Sequence, residues 1–335
     1  MAEEALSRSI GNERAEAGFR VLVEALPRFG IEADAPAQLL PQSENVAVRI
    51  QPAHRPPVVV RISPPGARTF EELKSEIAWI SALKRESDVP VAGVLATEAG
   101  EAVVRVADPV TGIVFSVVLF EHVRGREPAE DELAALMPLL GRISAQLHRH
   151  SATWVRPEWF CRGRWDGDAA FGDHPRWGRW QTAVPDRGQR QLLKRLERAV
   201  RGRLSRFGTD HDRFGLIHAD LRTANLLVEG DNCHLIDFDD AGFGWWLYDL
   251  ATALTFYENH PDRDDLIGAW VEAYREVREL PDEDEAEIPT FLMLRRLLTL
   301  AFLGGNPEID VSREMLAILP EQTCGLAEEY LRNFG

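Results

Sequence analysis

Between His218 and Asp240 the chain reads HADLRTANLLVEGDNCHLIDFDD. The runs NLLV (225–228) and CHLI (233–236) are strand-forming and flank the turn-forming residues EGDN, which predicts a β-hairpin. Centred on that turn, it sets Leu226 roughly opposite Ile236 and Asn225 roughly opposite Asp237, within one residue of register. An amide oxygen and a carboxylate then meet at the open end. That pair suits Mg²⁺, a hard cation that takes few protein ligands and completes its shell with water and phosphate oxygens. Asp220 enters the same end five residues before Asn225 and can accept a hydrogen bond from a hydroxyl nucleophile. Arg222 sets a permanent positive charge beside it, suited to a transferring phosphoryl group. Phosphoryl transfer is the reaction that needs this set, because it asks for positioning and charge neutralisation rather than a covalent intermediate. A solvated surface hairpin would account for the turn residues but not for the acids beside LIHAD and HLIDF.

HADLRTAN resembles the kinase catalytic-loop pattern H-R-D-L-x-x-x-N, and IDFDD stands where a kinase has Asp-Phe-Gly. The longer phrase GLIHADLRTANLLVEGDNCHLIDFDDAGFGWWLYDLATAL resembles the aminoglycoside phosphotransferase/choline kinase-like superfamily. The likeness is closest to the branch of type II homoserine kinases and bacterial phosphotransferases of unassigned substrate. It runs from about Ser43 to Leu300 and is most specific over 215–254. It implies an α+β, bilobal, protein-kinase-like fold with ATP bound between the lobes. Asp220 would be the catalytic carboxylate, Asn225 and Asp237 the magnesium ligands, and His218 a structural residue. Asp249 would brace the catalytic loop, and Asp239 has no single role.

Stepping outward, the texture of the chain agrees with two lobes. Residues 1–40 read mostly as helix. From Asn45 the runs NVAVRI, PVVVRIS, GVLATEAG, AVVRVAD and FSVVLFEHV predict a small antiparallel β-sheet lobe ordered as a meander. One helix over 69–84 interrupts it, with Thr69 and Glu72 as a capping box. A larger, mainly helical lobe follows. Strands first and helices after indicate α+β rather than a doubly wound sheet. The expected boundaries are 1–124 for a nucleotide-binding lobe and 125–335 for a lobe carrying the catalytic loop and acceptor site.

In VVVRIS the position of the kinase phosphate-binding lysine holds Arg61. Glu76 falls on the apolar face of the 69–84 helix with Leu73, Ile80 and Leu83, where an unpaired carboxylate would be costly, so an Arg61–Glu76 pair is expected. Ser43 and Asn45, in LPQSENVAVRI, replace a glycine-rich loop as candidate phosphate contacts. The linker LFEHVRG would offer backbone groups to adenine near Glu121 and Val123.

The acceptor is less legible. Trp154, Trp159, Trp165, Trp177 and Trp180 precede the catalytic loop, as pocket lining or as packing. Trp245 or Trp246 could border the acceptor, and Asp240 or Asp166 could hold an ammonium group. PDEDEAE (281–287) reads as a solvated loop, and His148 and His150 as structural.

A net charge of −16 argues against nucleic acid as the partner. The longest apolar runs fall short of the ~20 residues a membrane helix needs, and the N-terminal stretch lacks the apolar core of a signal peptide. A cytoplasmic protein with no membrane partner is expected. Cys161, Cys233 and Cys324 form no zinc or disulfide pattern and read as packing residues. The function expected is ATP- and Mg²⁺-dependent phosphorylation of a small-molecule hydroxyl, on homoserine or another amino acid or amino alcohol. An aminoglycoside-type antibiotic phosphotransferase is one alternative and a catalytically idle kinase-like binding protein another. A protein kinase is disfavoured, because no Ala-Pro-Glu element or activation segment follows the hairpin.

Overall fold

The computed structural model describes residues 15–40, 45–66, 68–230, 232–307 and 310–335. Contacts divide the chain into two units, one of 1–126, 155–162 and 226–239, the other of 127–154, 163–225 and 240–335.

The first unit is built on a six-stranded sheet of β1 (Ala37–Leu39), β2 (Val46–Ile50), β3 (Val58–Ser63), β4 (Val94–Leu95), β5 (Val104–Ala107) and β6 (Val114–Glu121). Every pairing is antiparallel, as expected. The order β1-β2-β3-β6-β4, with β5 also on β6, is not a simple meander. VFSVVLF is the longest apolar run in the unit, and an interior strand screened on both faces is where such a run is satisfied. Among the described residues before β2, the expected helix is only part of the segment. Helix α1 covers 15–25, whereas Ala37–Leu39 pairs with β2.

Strand β3 alternates strictly. Val58, Val60 and Ile62 join Val48, Ile50, Val117 and Leu119 beneath Val21 and Leu22 of α1. The period of two therefore turns Val59, Arg61 and Ser63 to the opposite face. Helix α2 (Phe70–Glu86) starts as its sequence predicts. The Glu72 N–H donates to Thr69 Oγ1 at 3.1 Å, and the Thr69 N–H donates to Glu72 Oε2 at 3.0 Å. The predicted hairpin belongs to this unit as strands Leu226–Glu229 and Asn232–Leu235.

The second unit is mainly helical, its longer helices being Leu133–Thr153, Arg187–Phe207, Arg263–Arg275, Ile288–Gly305 and Leu319–Phe334. A three-stranded sheet lies among them. Gly242–Trp245 pairs parallel with Arg164–Trp165 and antiparallel with Phe214–Ile217. The stretch Asp282–Gly305 is long and apolar enough to cross a membrane, contrary to the reading of the apolar runs. Its most apolar window is 78% buried inside the protein, as a core helix would be. PDEDEAE is largely exposed, as expected, but Asp282–Glu285 is a helical turn rather than a loop, and Asp284 is buried against Arg213 at 2.7 Å.

The strand Phe214–Ile217 leads straight into the loop at His218, and its glycine holds it in place. A Cβ on Gly215 would lie 1.9 Å from the Trp246 ring. That ring cannot yield easily, because its Nε1 donates to the Asp212 carbonyl at 2.7 Å and it packs on His148 at 4.7 Å. Gly215→Ala is therefore expected to destabilise the protein by about 1–3 kcal/mol or more. Chemical denaturation checks this, and an unchanged midpoint would contradict the packing argument.

Candidate active site

The loop after Phe214–Ile217 is held from beneath by the helix Trp246–Ala253. Asp249 Oδ1 accepts the Ala219 N–H at 2.7 Å, and Asp249 Oδ2 accepts the His218 N–H at 3.2 Å. Thr252 Oγ1 accepts the Leu221 N–H at 2.9 Å. These bonds fix Ala219 at φ 66°, a left-handed conformation that an alanine does not favour. Behind them His148 Nε2 lies 3.0 Å from Asp249 and its Nδ1 2.9 Å from the Tyr274 hydroxyl. Burial lowers the His148 pKa despite the neighbouring Asp249, so the ring is neutral at pH 7. It then donates from Nε2 to the carboxylate and accepts the Tyr274 hydroxyl at Nδ1. His148 is structural, as its place in the sequence suggested.

The loop so held presents Asp220. Its Oδ2 accepts from Arg222 Nε at 3.0 Å and from Asn225 Nδ2 at 2.9 Å, and its Oδ1 accepts from Arg295 Nη2 at 2.9 Å. Burial pushes the Asp220 carboxyl upward, but Arg222 and Arg295 outweigh it and the net pKa is lowered. Its ionic contacts therefore contribute stability above the ordinary carboxylate range, and lose it only as pH falls through the depressed value. Three predicted residues, Asp220, Arg222 and Asn225, are thus brought together.

Asn225 does not open a strand. It ends the 3₁₀ turn Thr223–Asn225, its amide nitrogen also donating to the Asp220 carbonyl at 2.7 Å. The hairpin register places Leu226 opposite Leu235, one residue from the expected Ile236. Asn225 therefore directly precedes the first strand, and Asp237 follows the second by two residues. Asp237 is exposed and adopts φ 61°. Next to it Phe238 is buried edge-on against Trp79 of α2, with ring centroids 5.5 Å apart. Asp239 pairs with Arg68 at 3.5 Å, and its carbonyl accepts from Arg162.

In the first unit Arg61 Nη1 donates to Glu76 Oε1 at 2.7 Å, as expected. Glu76 is fully buried and the Arg61 side chain is 11% exposed. Burial acts to lower the Arg61 pKa, but Glu76, then Asp239 and Asp237, raise it well above the ordinary value. Arg61 Nε and Nη2 and Glu76 Oε2 are buried with no protein partner. A cation with two buried, unused N–H groups facing acids fits a phosphate, or a metal–phosphate complex, better than it fits a closed structural pair.

The other nucleotide-side expectations fare unevenly. Ser43 lies outside the described residues. Asn45 is buried in the bend just before β2. The Glu121 N–H is engaged by the Gly93 carbonyl at 2.8 Å, and its carboxylate by the Gly93 N–H at 3.0 Å and Lys84 at 3.2 Å. The Glu121 N–H is thus already used within the protein. Val123 is half-buried in the segment after β6.

The five tryptophans do not form one cluster. Trp159 lies in the first unit under Lys74 at 4.5 Å. Trp154 lies beside His150, and Trp180 is anchored to Glu197. Trp165 and Trp177 belong together, 4.8 Å apart, with Tyr248 on Trp165 and Phe302 on Trp177. Trp245 and Trp246 are buried, their Nε1 groups held by the Gly208 and Asp212 carbonyls. Asp166 is committed to capping Gly167–Phe171 and to Arg164. Asp240 pairs with Arg176 at 3.5 Å, and its carbonyl accepts from Trp165 Nε1 at 2.8 Å. Cys161 is exposed rather than packed, and all three cysteines are free.

Arg295 was not anticipated. Its signal is the helix itself: Arg295 and Arg296 interrupt the apolar run FLMLRRLLTLAFL, and two arginines buried in a core helix must have partners. Arg296 closes a fully buried pair with Glu258 at 2.8 Å.

Removing the brace should undo the loop. Asp249→Ala would leave the His148, His218 and Ala219 N–H groups without their acceptor, and the expected loss is about 3–5 kcal/mol. Urea denaturation followed by circular dichroism measures it. A midpoint equal to that of the unaltered protein would show that the loop is held by other means.

Comparison with known proteins agrees with this geometry. The model of the phosphotransferase enzyme family matches residues 37–287. A solved microcompartment-associated aminopropanol kinase is 39% identical, with a TM-score of 0.85 over 93% of this chain and 97% of that one. Amicoumacin kinase of Bacillus subtilis (strain 168) is 25% identical over 313 residues, 89% of each chain. A solved amicoumacin kinase, in complex with AMP-PNP, Ca²⁺ and Ami, shares the fold, with a TM-score of 0.71 at 22% identity over 86% of this chain and 88% of that one. The chain belongs to the phosphotransferase enzyme family, has its kinase-like α+β fold, and is a small-molecule phosphotransferase acting on hydroxyl groups.

Proposed function

We propose that this family member transfers the γ-phosphate of ATP, with Mg²⁺, to the hydroxyl of a small amino alcohol, with hydroxyl amino acids such as homoserine as nearest alternatives. The observation that carries the reading is the Asp220 carboxylate, kept ionised by Arg222 and Arg295 and fixed through Asn225 Nδ2. Asp220 receives a hydrogen bond from the acceptor hydroxyl and aims its oxygen at the phosphorus. The hydroxyl oxygen bonds to the γ-phosphorus as the bond to the bridging oxygen breaks, that electron pair leaving with ADP. The proton passes to Asp220 and then to water. A depressed pKa makes Asp220 a weak base, which suits a loose transition state in which the proton leaves late.

Asn225 and Asp237 are the metal ligands in this reading. With its nitrogen committed to Asp220, Asn225 has its amide oxygen left for a cation, and Asp237 carries an exposed carboxylate. Bound there, the metal would neutralise phosphate oxygens. Arg61, oriented by Glu76, binds phosphate through its unused N–H groups, and Arg222 meets the transferring group. Asn45 and the backbone near Val123 are assigned to phosphate and adenine, and residues up to about 124 serve the nucleotide while 125–335 serve the acceptor.

The amino alcohol preference is supported by the identity and full coverage of the aminopropanol kinase. Asp240 is the carboxylate assigned to the acceptor's ammonium group, being close enough to Arg295 and Tyr248 to act on their charge. The likeness to amicoumacin kinase favours, as a second reading, phosphorylation of an antibiotic.

Two measurements test this. Turnover of ATP with a panel of amino alcohols, homoserine, sugars, amicoumacin and aminoglycosides should be fastest with an amino alcohol; turnover confined to antibiotics would select the second reading. Asp237→Ala should abolish metal-dependent nucleotide binding in calorimetry, and unchanged magnesium dependence would refute its role as ligand.

A further inference from the structure

We infer that Arg295 is a positioning residue for the reaction, fixing the Asp220 carboxylate so that one particular oxygen, Oδ1, receives the acceptor hydroxyl. The inference rests on the assignment of Asp220 as the acceptor of that hydrogen bond.

A carboxylate has about four lone-pair positions, two on each oxygen. On Asp220 both positions of Oδ2 are filled, by Arg222 Nε at 3.0 Å and Asn225 Nδ2 at 2.9 Å. Oδ1 carries a single bond, from Arg295 Nη2 at 2.9 Å. The remaining lone pair for a substrate O–H is therefore on Oδ1, next to the Arg295 guanidinium.

Arg295 is built to stay where it is. Its side chain is only 5% exposed. Nε donates to Thr255 Oγ1 at 2.9 Å and Nη1 to the Tyr248 hydroxyl at 3.3 Å, and the guanidinium lies 5.2 Å from the Trp177 ring centroid. The Thr255 hydroxyl in turn donates to the Thr252 carbonyl at 2.7 Å, and the Thr252 side chain accepts from the loop's own Leu221. One helix thus holds both the loop backbone and the arginine that orients its carboxylate. Each of the three guanidinium nitrogens makes a hydrogen bond within the protein, which fixes the orientation in which Arg295 meets Asp220.

Without Arg295 the carboxylate can rotate about its Cβ–Cγ bond, and misplacement on the order of 1 Å costs about 100-fold in rate.

The test measures kcat and KM for Arg295→Met and Arg295→Lys, beside Asp220→Asn, with the denaturation midpoint of each. Arg295→Met is expected to lower kcat about 100-fold with the KM for ATP unchanged. Arg295→Lys, which keeps the charge but not the fork, should restore only part of kcat. If burial makes Arg295→Met unstable, Tyr248→Phe provides the second route. It frees only Nη1 and should lower kcat by a smaller factor in folded protein. An Arg295→Met enzyme with normal kcat, while Asp220→Asn is inactive, overturns the role of Arg295 alone. Full activity in Asp220→Asn overturns the underlying assignment. A fall in kcat matched by the loss of folded protein, with no rescue by Arg295→Lys, reduces Arg295 to a structural residue and also overturns the inference.

Discussion

A carboxylate withdrawn from water must be compensated group by group, and Asp220 is the place where this protein meets that demand most fully. Two guanidinium groups and one amide converge on its two oxygens within 3.0 Å. The uncompensated cost would be several kcal/mol per ion. The compensation comes from residues far apart in the chain: Arg222 and Asn225 from the loop itself, and Arg295 from a core helix. The Asp220 side chain remains 17% exposed, enough for a small partner to reach it. The outcome is an acid that is ionised, stationary and accessible, which is what a hydroxyl nucleophile needs for orientation.

The loop's backbone carries a corresponding cost. Ala219 and Asp237 both sit at positive φ. Only surrounding structure can maintain such conformations in residues other than glycine. For Ala219 that structure is Asp249, itself held by the neutral His148 and through it by Tyr274. The second unit thus spends a buried His–Asp–Tyr network on the shape of a single turn. The first unit uses its buried charge differently. Arg61 is oriented by one acid, while its Nε and Nη2 are buried without a protein partner.

Much of this was legible in the sequence, for identifiable reasons. The capping box at Thr69 and the alternation of VVVRIS are local patterns, and the Arg61–Glu76 pair followed from placing a charge on an apolar helix face. The Asp220–Arg222–Asn225 grouping depends on six residues of contiguous chain. What was missed is non-local. Nothing in the strand patterns shows that β6 is interior, because that depends on which strands pair. The hairpin was one residue out because the 3₁₀ turn at Asn225 consumes a residue that strand periodicity would assign to the ladder. That the indole N–H groups of Trp245 and Trp246 are held by the Gly208 and Asp212 carbonyls is likewise set by tertiary contacts. Arg295 was overlooked because a helix of such hydrophobicity reads as packing, although a buried guanidinium is itself a request for an acid.

The central claim is that Asp220 stands ionised under the control of its N–H donors, and the direct measurement is a carbon-13 NMR titration of its carboxyl group, assigned by difference against Asp220→Asn. The account predicts a midpoint below the ordinary aspartate value and a further downward or unchanged midpoint when the nucleotide site is filled with Mg²⁺ and a nonhydrolysable ATP analogue. A carboxyl titrating at or above the ordinary value would contradict it, because the arginines would then not be governing the group on which the proposed chemistry turns.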